Sequence, residues 1–198
     1  MSAYMWAVPV ARPLFRFLFR MKFYGFENIP KEGGLLLCCN HRTYFDPVAL
    51  AIGCNKRVIH YMAKEELFHG LFGKLIKAIG AFPVNRQHAG ADTMNTAYQL
   101  LKDGEILGMF PEGTRSKDGK LLKFKAGAVM IAAKENVPIL PAAVCFGEKL
   151  RPFCKVSVRF GKPIMPSDLG MVNGTGTEMR AATRQLMEKV DELLEMGV

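Results

Sequence analysis

A histidine and an aspartate five positions apart follow the first long apolar run of the chain. His41 and Asp46 come just after residues 34–39, and such a short apolar run is typical of a buried strand. A carboxylate that accepts a hydrogen bond from one imidazole nitrogen fixes the tautomer of the ring. The other nitrogen can then take a proton from an alcohol. The pair is therefore a candidate general base with its orienting partner.

The same spacing also has a purely structural explanation. Asp46 stands directly before Pro47, and this pair of residues is an ordinary start for an α-helix. The chain has four histidines, so a match to His-x4-Asp has roughly a one-in-eight chance of arising from composition alone. One carboxylate oxygen can cap a helix while the other orients an imidazole, so both roles of Asp46 stay open. The position at the carboxyl end of a predicted strand, where ligands of α/β sheets bind, favours catalysis.

A second polar segment, residues 111–116, follows another apolar run. Arg115 offers a planar and permanently charged guanidinium that suits phosphate oxygens, and Gly113 permits close approach of the backbone. A solvated basic loop is the alternative, but Glu112 beside the arginine favours a specific site in which the carboxylate reads a glycerol hydroxyl. Two hydroxyl groups complete the set of candidate donors, those of Thr114 and Ser116. Together the two segments predict an enzyme that deprotonates a hydroxyl group of a phosphorylated substrate.

The elements that must position these residues alternate along the chain. Periodicity predicts strands over residues 34–39, 57–62, 79–85, 105–110, 138–146 and 154–160, and helices over residues 47–53, 65–78, 90–102, 125–135 and 177–196. Strands separated by helices predict an α/β fold whose mixed, largely parallel sheet is flanked by helices. Residues 161–176 are interpreted as a surface linker into the last helix.

Size and charge limit the classes of partner. A chain of 198 residues fits one domain with a sizeable core. The net charge of +9 favours anionic partners such as membrane lipid, phosphorylated small molecules, an acidic carrier protein or nucleic acid. No nucleic-acid-binding motif is present, so we expect no nucleic-acid partner. The five cysteines lack disulfide or metal spacing, so we predict free thiols and no metal site.

The first 25 residues differ from the rest and are predicted to form a separate amphipathic, membrane-associating segment. They contain no acidic residue, and Arg12, Arg16 and Arg20 would form one basic stripe of a helix. Abundant phenylalanine beside that stripe is typical of a helix lying on anionic lipid. The alternative is a helix docked on the protein's own core. No window has the roughly 18 apolar residues that span a bilayer, and no secretory signal is evident, so we expect a cytoplasmic origin.

Four ordered blocks resemble the glycerolipid acyltransferase family, and within it the 1-acylglycerol-3-phosphate acyltransferases. The first block is Asn-His-Arg-Thr-Tyr-Phe-Asp at residues 40–46, and the third is Phe-Pro-Glu-Gly-Thr-Arg-Ser at residues 110–116. Residues 62–67 together with residues 80–86 resemble the second block of the family, and residues 137–141 resemble its fourth, apolar block. The likeness covers roughly residues 24–165, and four blocks in order are far more specific than one. The resemblance implies that residues 26–198 form the acyltransferase domain.

The resemblance implies transfer of an acyl chain from a thioester to the 2-hydroxyl of lysophosphatidate, which yields phosphatidate for phospholipid synthesis. His41 would be the general base and Asp46 its holder. The glycerol phosphate would be bound by six residues: Lys64, Arg86, Glu112, Gly113, Thr114 and Arg115. One departure is Asn85, because the family often has an aspartate there. The donor would be acyl-coenzyme A or acyl carrier protein loaded with an acyl chain, and no metal or cofactor would be needed. The enzyme would be a peripheral protein at the cytoplasmic face of the cell membrane.

Other functions remain compatible with the residues. The acceptor could be another lyso-lipid, although the basic residues favour a phosphomonoester. A lipid-binding scaffold could keep the fold without the chemistry, but it would not need His41 and Asp46 at a strand end. A hydrolase could use the same histidine to activate water. A product assay separates these possibilities.

Overall fold

One seven-stranded sheet organises the part of the chain that the structure describes. The computed structural model describes residues 3–54, 57–78, 80–84 and 91–198. In sheet order the strands are β1 (Met21–Tyr24), β7 (Val156–Phe160), β6 (Ile139–Phe146), β2 (Leu35–Cys39), β5 (Ile106–Met109), β3 (Ile59–Lys64) and β4 (Ala81–Val84). All neighbouring strands are parallel except β6 and β7. The sheet is therefore mixed and largely parallel.

Six α-helices among the described residues cover the two faces of this sheet. They are α1 (Ala3–Leu18), α2 (Asp46–Gly53), α3 (Gly70–Ala78), α4 (Ala91–Lys102), α5 (Gly127–Glu135) and α6 (Gly176–Glu195). Helices α1, α2 and α3 pack on one face, and α4, α5 and α6 pack on the other. Helices usually cover both faces of a parallel sheet, because both faces are apolar and must be shielded from water.

The central strands have the composition that burial on both faces demands. Every residue of β2 and of β6 is buried, so their sequences run apolar without alternation. Leu35 and Leu37 contribute to the core under α2, whereas Leu36 and Cys38 contribute to the core under α5 and α6. Successive side chains point to opposite faces because the strand repeats every two residues. Two apolar cores therefore hold β2 in place at the centre of the molecule.

The sequence-based fold prediction is confirmed in class and in most elements. Each predicted strand and each predicted helix has a counterpart close to its predicted bounds. The predicted helix over residues 65–78 is divided, because a 3-10 turn over Glu65–Phe68 precedes α3 and Gly70 at its start has a φ of 63°. The predicted linker 161–176 is not purely a surface segment, since it contains a short 3-10 helix with buried Leu169.

The N-terminal segment differs from its prediction in two respects. Residues Met21–Tyr24 form the edge strand β1 of the same sheet, so this part of the predicted segment 1–25 is not separate from the domain. Helix α1 ends at Leu18, and Arg20 follows it with a φ of 40°. Arg20 therefore does not extend the stripe of Arg12 and Arg16 as expected. Strand β1 pairs with β7, about 135 residues later in the chain, and local periodicity carries no information about that pairing.

The two polar segments that could form a site lie at one edge of the sheet, where most of its strands end. The carboxyl ends of β2, β5, β3, β4 and β6 all lie at that edge, because these strands are parallel. Strands β1 and β7 run the opposite way, so their amino ends lie there instead. Both polar segments of interest follow strands that end at this edge. In open α/β sheets this is the edge where ligands bind.

Candidate active site

His41 and Asp46 form a hydrogen-bonded pair at the carboxyl end of β2. The Nδ1–H group of His41 donates to Oδ2 of Asp46 at 2.9 Å. Asp46 is fully buried, while 18% of the His41 side chain remains exposed. Among the described residues, none hydrogen-bonds to Nε2 of His41. The histidine thus has one nitrogen held by the protein and the other available to a bound molecule.

The chain around Asp46 is folded so that its carboxylate is saturated with donors. Oδ2 also accepts the backbone N–H groups of Arg42 at 2.6 Å and Thr43 at 2.8 Å, and Oδ1 accepts the Thr43 hydroxyl at 2.9 Å. Asp46 is the first residue of α2, with Pro47 directly after it, where the helix dipole also favours negative charge. The predicted capping role is not observed, because Phe45 is the N-cap residue of α2 and makes no side-chain cap hydrogen bond. The Asp46 carboxylate instead holds the loop of Arg42 and Thr43 together with the imidazole of His41.

Glu112 joins the two polar segments rather than facing a ligand. Its Oε1 accepts the backbone N–H of His41 at 2.6 Å, and its Oε2 accepts the backbone N–H of Leu122 at 2.9 Å. Burial raises the pKa of this carboxyl, while the two backbone donors act in the opposite direction. The structure thus differs from the sequence-based interpretation of Glu112 as a reader of a glycerol hydroxyl. Both oxygens are occupied by the protein, and the residue fixes the backbone of His41.

Two aromatic rings that sequence reasoning missed support the imidazole. The Phe110 ring stacks on His41 with centroids 4.1 Å apart, and Tyr61 stacks on Phe110 at 5.9 Å. Gly108 makes this column possible, because a Cβ at that position would overlap the Tyr61 ring. The signal in the sequence was an aromatic residue directly before Pro111, but only the neighbouring positions of β2, β5 and β3 bring these rings together.

Arg115 lies on the exposed loop beside the histidine, with its guanidinium held by an aromatic ring. Its Cζ sits 3.8 Å from the centroid of the Tyr44 ring, a distance typical of cation–π contact. Gly113, Thr114 and Arg115 are all exposed. Gly113 has a φ of 73°, and a Cβ there would meet the Lys125 side chain, so the Lys125 ammonium adds positive charge to this loop.

The other two predicted ligands, Lys64 and Arg86, are only partly described. Lys64 ends β3 and pairs in register with Val84 of β4, so its backbone lies at the same edge of the sheet as His41. The side chain of Lys64 and the whole of Arg86 lie outside the described part of the structure. Their contact with an anion therefore stays a prediction.

Asn40 and Arg42, which flank the histidine, also hold the site. The Asn40 amide donates to the Val144 carbonyl at 3.2 Å and accepts the Val144 N–H at 2.9 Å, so the side chain extends the ladder between β2 and β6. The Arg42 guanidinium donates to the carbonyl of Phe146 at 2.9 Å and stacks on its ring. Sequence reasoning assigned neither role, because both depend on a strand about 100 residues away.

The cysteines before the histidine belong to the core. Cys38 and Cys39 are free and completely buried, as expected from the sequence. Burial raises the pKa of both thiols far above its ordinary value, which suppresses the thiolate that a nucleophile requires. Within the described residues, no group of three His, Cys, Asp or Glu side chains could hold a metal ion.

Comparison with known proteins agrees with this geometry. A family model described as "Acyltransferase" matches residues 20–145, which covers both polar segments and the strands that carry them. The chain belongs to the acyltransferase family. The resemblance drawn from the four sequence blocks is thereby confirmed.

Named relatives of this acyltransferase are similar over most of its length. A 1-acyl-sn-glycerol-3-phosphate acyltransferase of Bacillus subtilis (strain 168) is 36% identical over 177 residues, 87% of this chain and 87% of the relative. The enzyme of the same name from Streptococcus pneumoniae is 32% identical over 177 residues, 86% of this chain and 66% of the relative. The crystal structure of the 1-acyl-sn-glycerophosphate (LPA) acyltransferase PlsC from Thermotoga maritima matches with a TM-score of 0.71 and 29% identity. It covers 96% of this chain and 78% of that one.

Proposed function

We propose that this acyltransferase moves an acyl chain from a thioester to the 2-hydroxyl of 1-acylglycerol-3-phosphate and so makes phosphatidate. The observation that supports the proposal best is the His41–Asp46 pair, with Nδ1 held at 2.9 Å and Nε2 unoccupied by any described residue. Relatives with more than 30% identity carry the name of this reaction. Acyl-coenzyme A or acyl carrier protein is the proposed donor, with no resident cofactor.

The proposed chemistry is one proton transfer coupled to one substitution. Nε2 of His41 takes the proton of the 2-hydroxyl as its oxygen attacks the thioester carbonyl, and a tetrahedral intermediate forms. The C–S bond then breaks, and the imidazolium returns the proton to the leaving thiolate as a free thiol. Asp46 stabilises the transient imidazolium and keeps the ring oriented. The burial of Cys38 and Cys39 supports direct attack over an acyl-enzyme intermediate.

The phosphate of the acceptor is proposed to bind the exposed loop after β5. Arg115 carries a guanidinium that is preoriented on the Tyr44 ring, and a planar guanidinium matches phosphate oxygens in pairs. Lys64 and Arg86 are proposed to complete the site, and Gly113 and Thr114 to supply close backbone approach and a hydroxyl donor. Glu112 is proposed to act on the histidine and not on the substrate, because backbone N–H groups occupy both oxygens.

Contact with the membrane is proposed to occur through the outer face of α1, at the cytoplasmic side. Val10, Leu14 and Phe17 are exposed at intervals of four and three residues, so they form one apolar stripe along the helix. Exposed Arg16 stands next to Phe17, and cations beside an apolar face favour anionic lipid. No helix among the described residues is long and apolar enough to cross a bilayer.

The decisive test is product formation by wild type and by His41→Ala from an oleoyl lysophosphatidate and palmitoyl-coenzyme A. We expect the variant to lose turnover by about 10²–10⁴-fold, the usual contribution of a general base. Its melting temperature should stay close to that of wild type. Mass spectrometry identifies the product, and His60→Ala serves as the matched control, since His60 pairs with Glu105 away from this edge. Release of free fatty acid in place of phosphatidate would indicate a hydrolase.

A further inference from the structure

The loop between β6 and β7 presents an exposed phenylalanine in a conformation that phenylalanine disfavours. Phe153 has a φ of 64° and its side chain is 58% exposed. The left-handed region is sterically unfavourable for any residue with a Cβ, and glycine is the usual solution. Neither local backbone preference nor burial in the core therefore explains a phenylalanine at this position.

Side chains other than Phe153 pack the β6–β7 loop against the rest of the protein. Leu150 and Cys154 are partly buried against the core beside α2, and the Phe153 N–H donates to the carbonyl of Leu18 at 2.6 Å. This hydrogen bond fastens the loop to the end of α1. The backbone is thus anchored at Phe153, and Leu150 and Cys154 contact the core, whereas the Phe153 ring is the exposed large apolar side chain of this loop.

The Phe153 ring continues the apolar stripe of α1. It meets the Phe17 ring edge to face, with centroids 5.9 Å apart and planes at 90°. Phe17 is itself 73% exposed, so the pair leaves apolar surface in water on both rings. Four large apolar side chains from two separate segments form this ridge: Val10, Leu14, Phe17 and Phe153. An exposed apolar surface of this kind marks an interaction site.

The charges beside the ridge identify its partner. The loop from residue 147 to residue 155 carries Lys149, Arg151 and Lys155 against the single acid Glu148, and all four are exposed. Exposed Arg16, directly before Phe17 in α1, adds a fourth cation, so both segments that form the ridge carry exposed positive charge. Aromatic rings between cations suit the interface of an anionic bilayer, where the rings enter the headgroup level and the cations meet phosphates.

The ridge also lies at the edge of the sheet that carries the base. The loop begins at the carboxyl end of β6, next to β2, whose end carries His41. Arg42, the residue after His41, donates to the carbonyls of Phe146 and Gly147 where the loop starts, at 2.9 and 3.3 Å. A bilayer in contact with this loop would therefore face the histidine.

We propose that the β6–β7 loop is a second membrane-contacting element, and that Phe153 is its inserted side chain beside the helix α1. This inference rests on the proposed membrane contact of α1 and extends it to a segment about 135 residues later in the chain. The partner is an anionic lipid bilayer. The two elements together would hold the sheet edge with His41 against the lipid surface.

Phe153→Gly gives an unusually clean test, because glycine removes the ring and prefers the observed φ. We expect the full-length variant to melt no lower than wild type, while its partition onto vesicles falls about tenfold. That factor corresponds to partial burial of one aromatic ring. The vesicles contain phosphatidylcholine with about 30% phosphatidylglycerol, an anionic surface of the kind invoked. Phe26→Ser is the matched control, since Phe26 is 54% exposed but follows β1 at the opposite edge.

Salt dependence and fluorescence quenching distinguish insertion of the Phe153 ring into the bilayer from purely electrostatic attraction of the loop to the bilayer surface. At about 0.5 M salt the loss caused by Phe153→Gly should persist, whereas any loss caused by Arg151→Gln should vanish because exposed charges are screened. In a Phe153→Trp variant, bromine-labelled lipid should quench tryptophan fluorescence beyond the quenching seen for Trp6 in wild type. Absence of added quenching would overturn insertion of this residue.

A parallel Leu14→Ser variant keeps the two membrane proposals distinguishable. If Leu14→Ser releases the protein from vesicles and Phe153→Gly does not, α1 remains the membrane contact and the loop inference is wrong. If neither variant changes partition, both proposals fail. If Phe153→Gly leaves vesicle binding intact and slows turnover only with an acyl carrier protein donor, the loop docks that acidic carrier and the lipid inference is overturned.

Discussion

At the scale of single residues, two carboxylates hold the candidate site by accepting hydrogen bonds from the backbone around His41. Asp46 holds the imidazole and two backbone N–H groups at once. Glu112 holds the backbone of His41 from the other side. One carboxylate therefore holds the imidazole ring of His41 and another holds its main chain. Together they restrict rotation of the ring, and a general base needs a fixed orientation.

Glu112→Gln should separate a positioning role from a substrate-binding role. Glutamine has one acceptor oxygen, so its NH₂ group would face a backbone N–H donor, at a cost of about 1–3 kcal/mol for an unpaired buried group. We expect a lower melting temperature and a lower kcat, with the KM for lysophosphatidate close to that of wild type. Steady-state kinetics and thermal unfolding measure these effects. A raised KM at unchanged kcat would restore the interpretation of Glu112 as a reader of the glycerol hydroxyl.

Arg115 should act mainly on acceptor affinity. Arg115→Lys keeps the charge but loses the planar fork and its stacking on Tyr44, so we expect KM for lysophosphatidate to rise about tenfold, with a smaller effect on kcat. Tyr44→Ala should also raise KM for lysophosphatidate, but by less, because it removes the ring under the guanidinium and keeps the guanidinium itself. A change in kcat alone for these variants would contradict the assignment of Arg115 to phosphate binding.

At the scale of elements, one face of α1 packs on the core and the other face is exposed to solvent. Val8 is buried against Ala51, and the centroid of the Phe15 ring lies 5.7 Å from that of Phe45, one residue before Asp46. The opposite face exposes the stripe of Leu14 and its neighbours. Docking on the core and contact with lipid, which were alternatives at the level of sequence, are therefore compatible on one helix.

Substitution of the outer face of α1 should release the protein from vesicles without unfolding it. The variants Val10→Ser, Leu14→Ser and Phe17→Ser combined change side chains that are 73%, 61% and 73% exposed, so we expect little change in the melting temperature. Partition onto anionic vesicles should fall more than tenfold, since three apolar contacts are lost. Co-sedimentation measures it, and binding equal to wild type would contradict the interfacial role.

A truncation of the same segment would be a poor substitute for that experiment. Removal of residues 1–22 also deletes Phe15, Phe19 and Met21, which pack in the core, and half of the edge strand β1. We expect this form to unfold at a lower temperature, which Val8→Ser should reproduce in part because Val8 is 3% exposed. Loss of vesicle binding by the truncated form would therefore not identify the surface responsible.

At the scale of the whole molecule, one edge of the sheet brings together the described residues of the proposed active site. Parallel strands β2, β5 and β3 end there and deliver His41, Arg115 and the backbone of Lys64. The antiparallel strand β7 and the edge strand β1 begin there, so the β6–β7 loop and the end of α1 lie at the same edge. The mixed direction of the sheet is thus what brings the proposed lipid-contacting elements and the base together.

The sequence by itself determined the class of fold and the principal chemical groups. Apolar runs and helical periodicity are local signals, so they located six of the seven strands and placed His41 and Asp46, the proposed catalytic pair, at the end of one of them. Ordered blocks then indicated the family, which the comparisons confirmed. These features could be predicted because each is encoded by residues that are close together in the sequence. No knowledge of distant contacts is needed to find them.

Only the tertiary structure decided which candidate groups are exposed at the site and which are bound by the protein itself. Glu112 and Arg115 are three residues apart, yet one is buried on backbone donors and the other is exposed on an aromatic ring. Strand β1 and the position of Phe153 likewise depend on partners more than 100 residues away. Such roles are set by strand order and by the pairing of distant segments, and a linear pattern does not encode either.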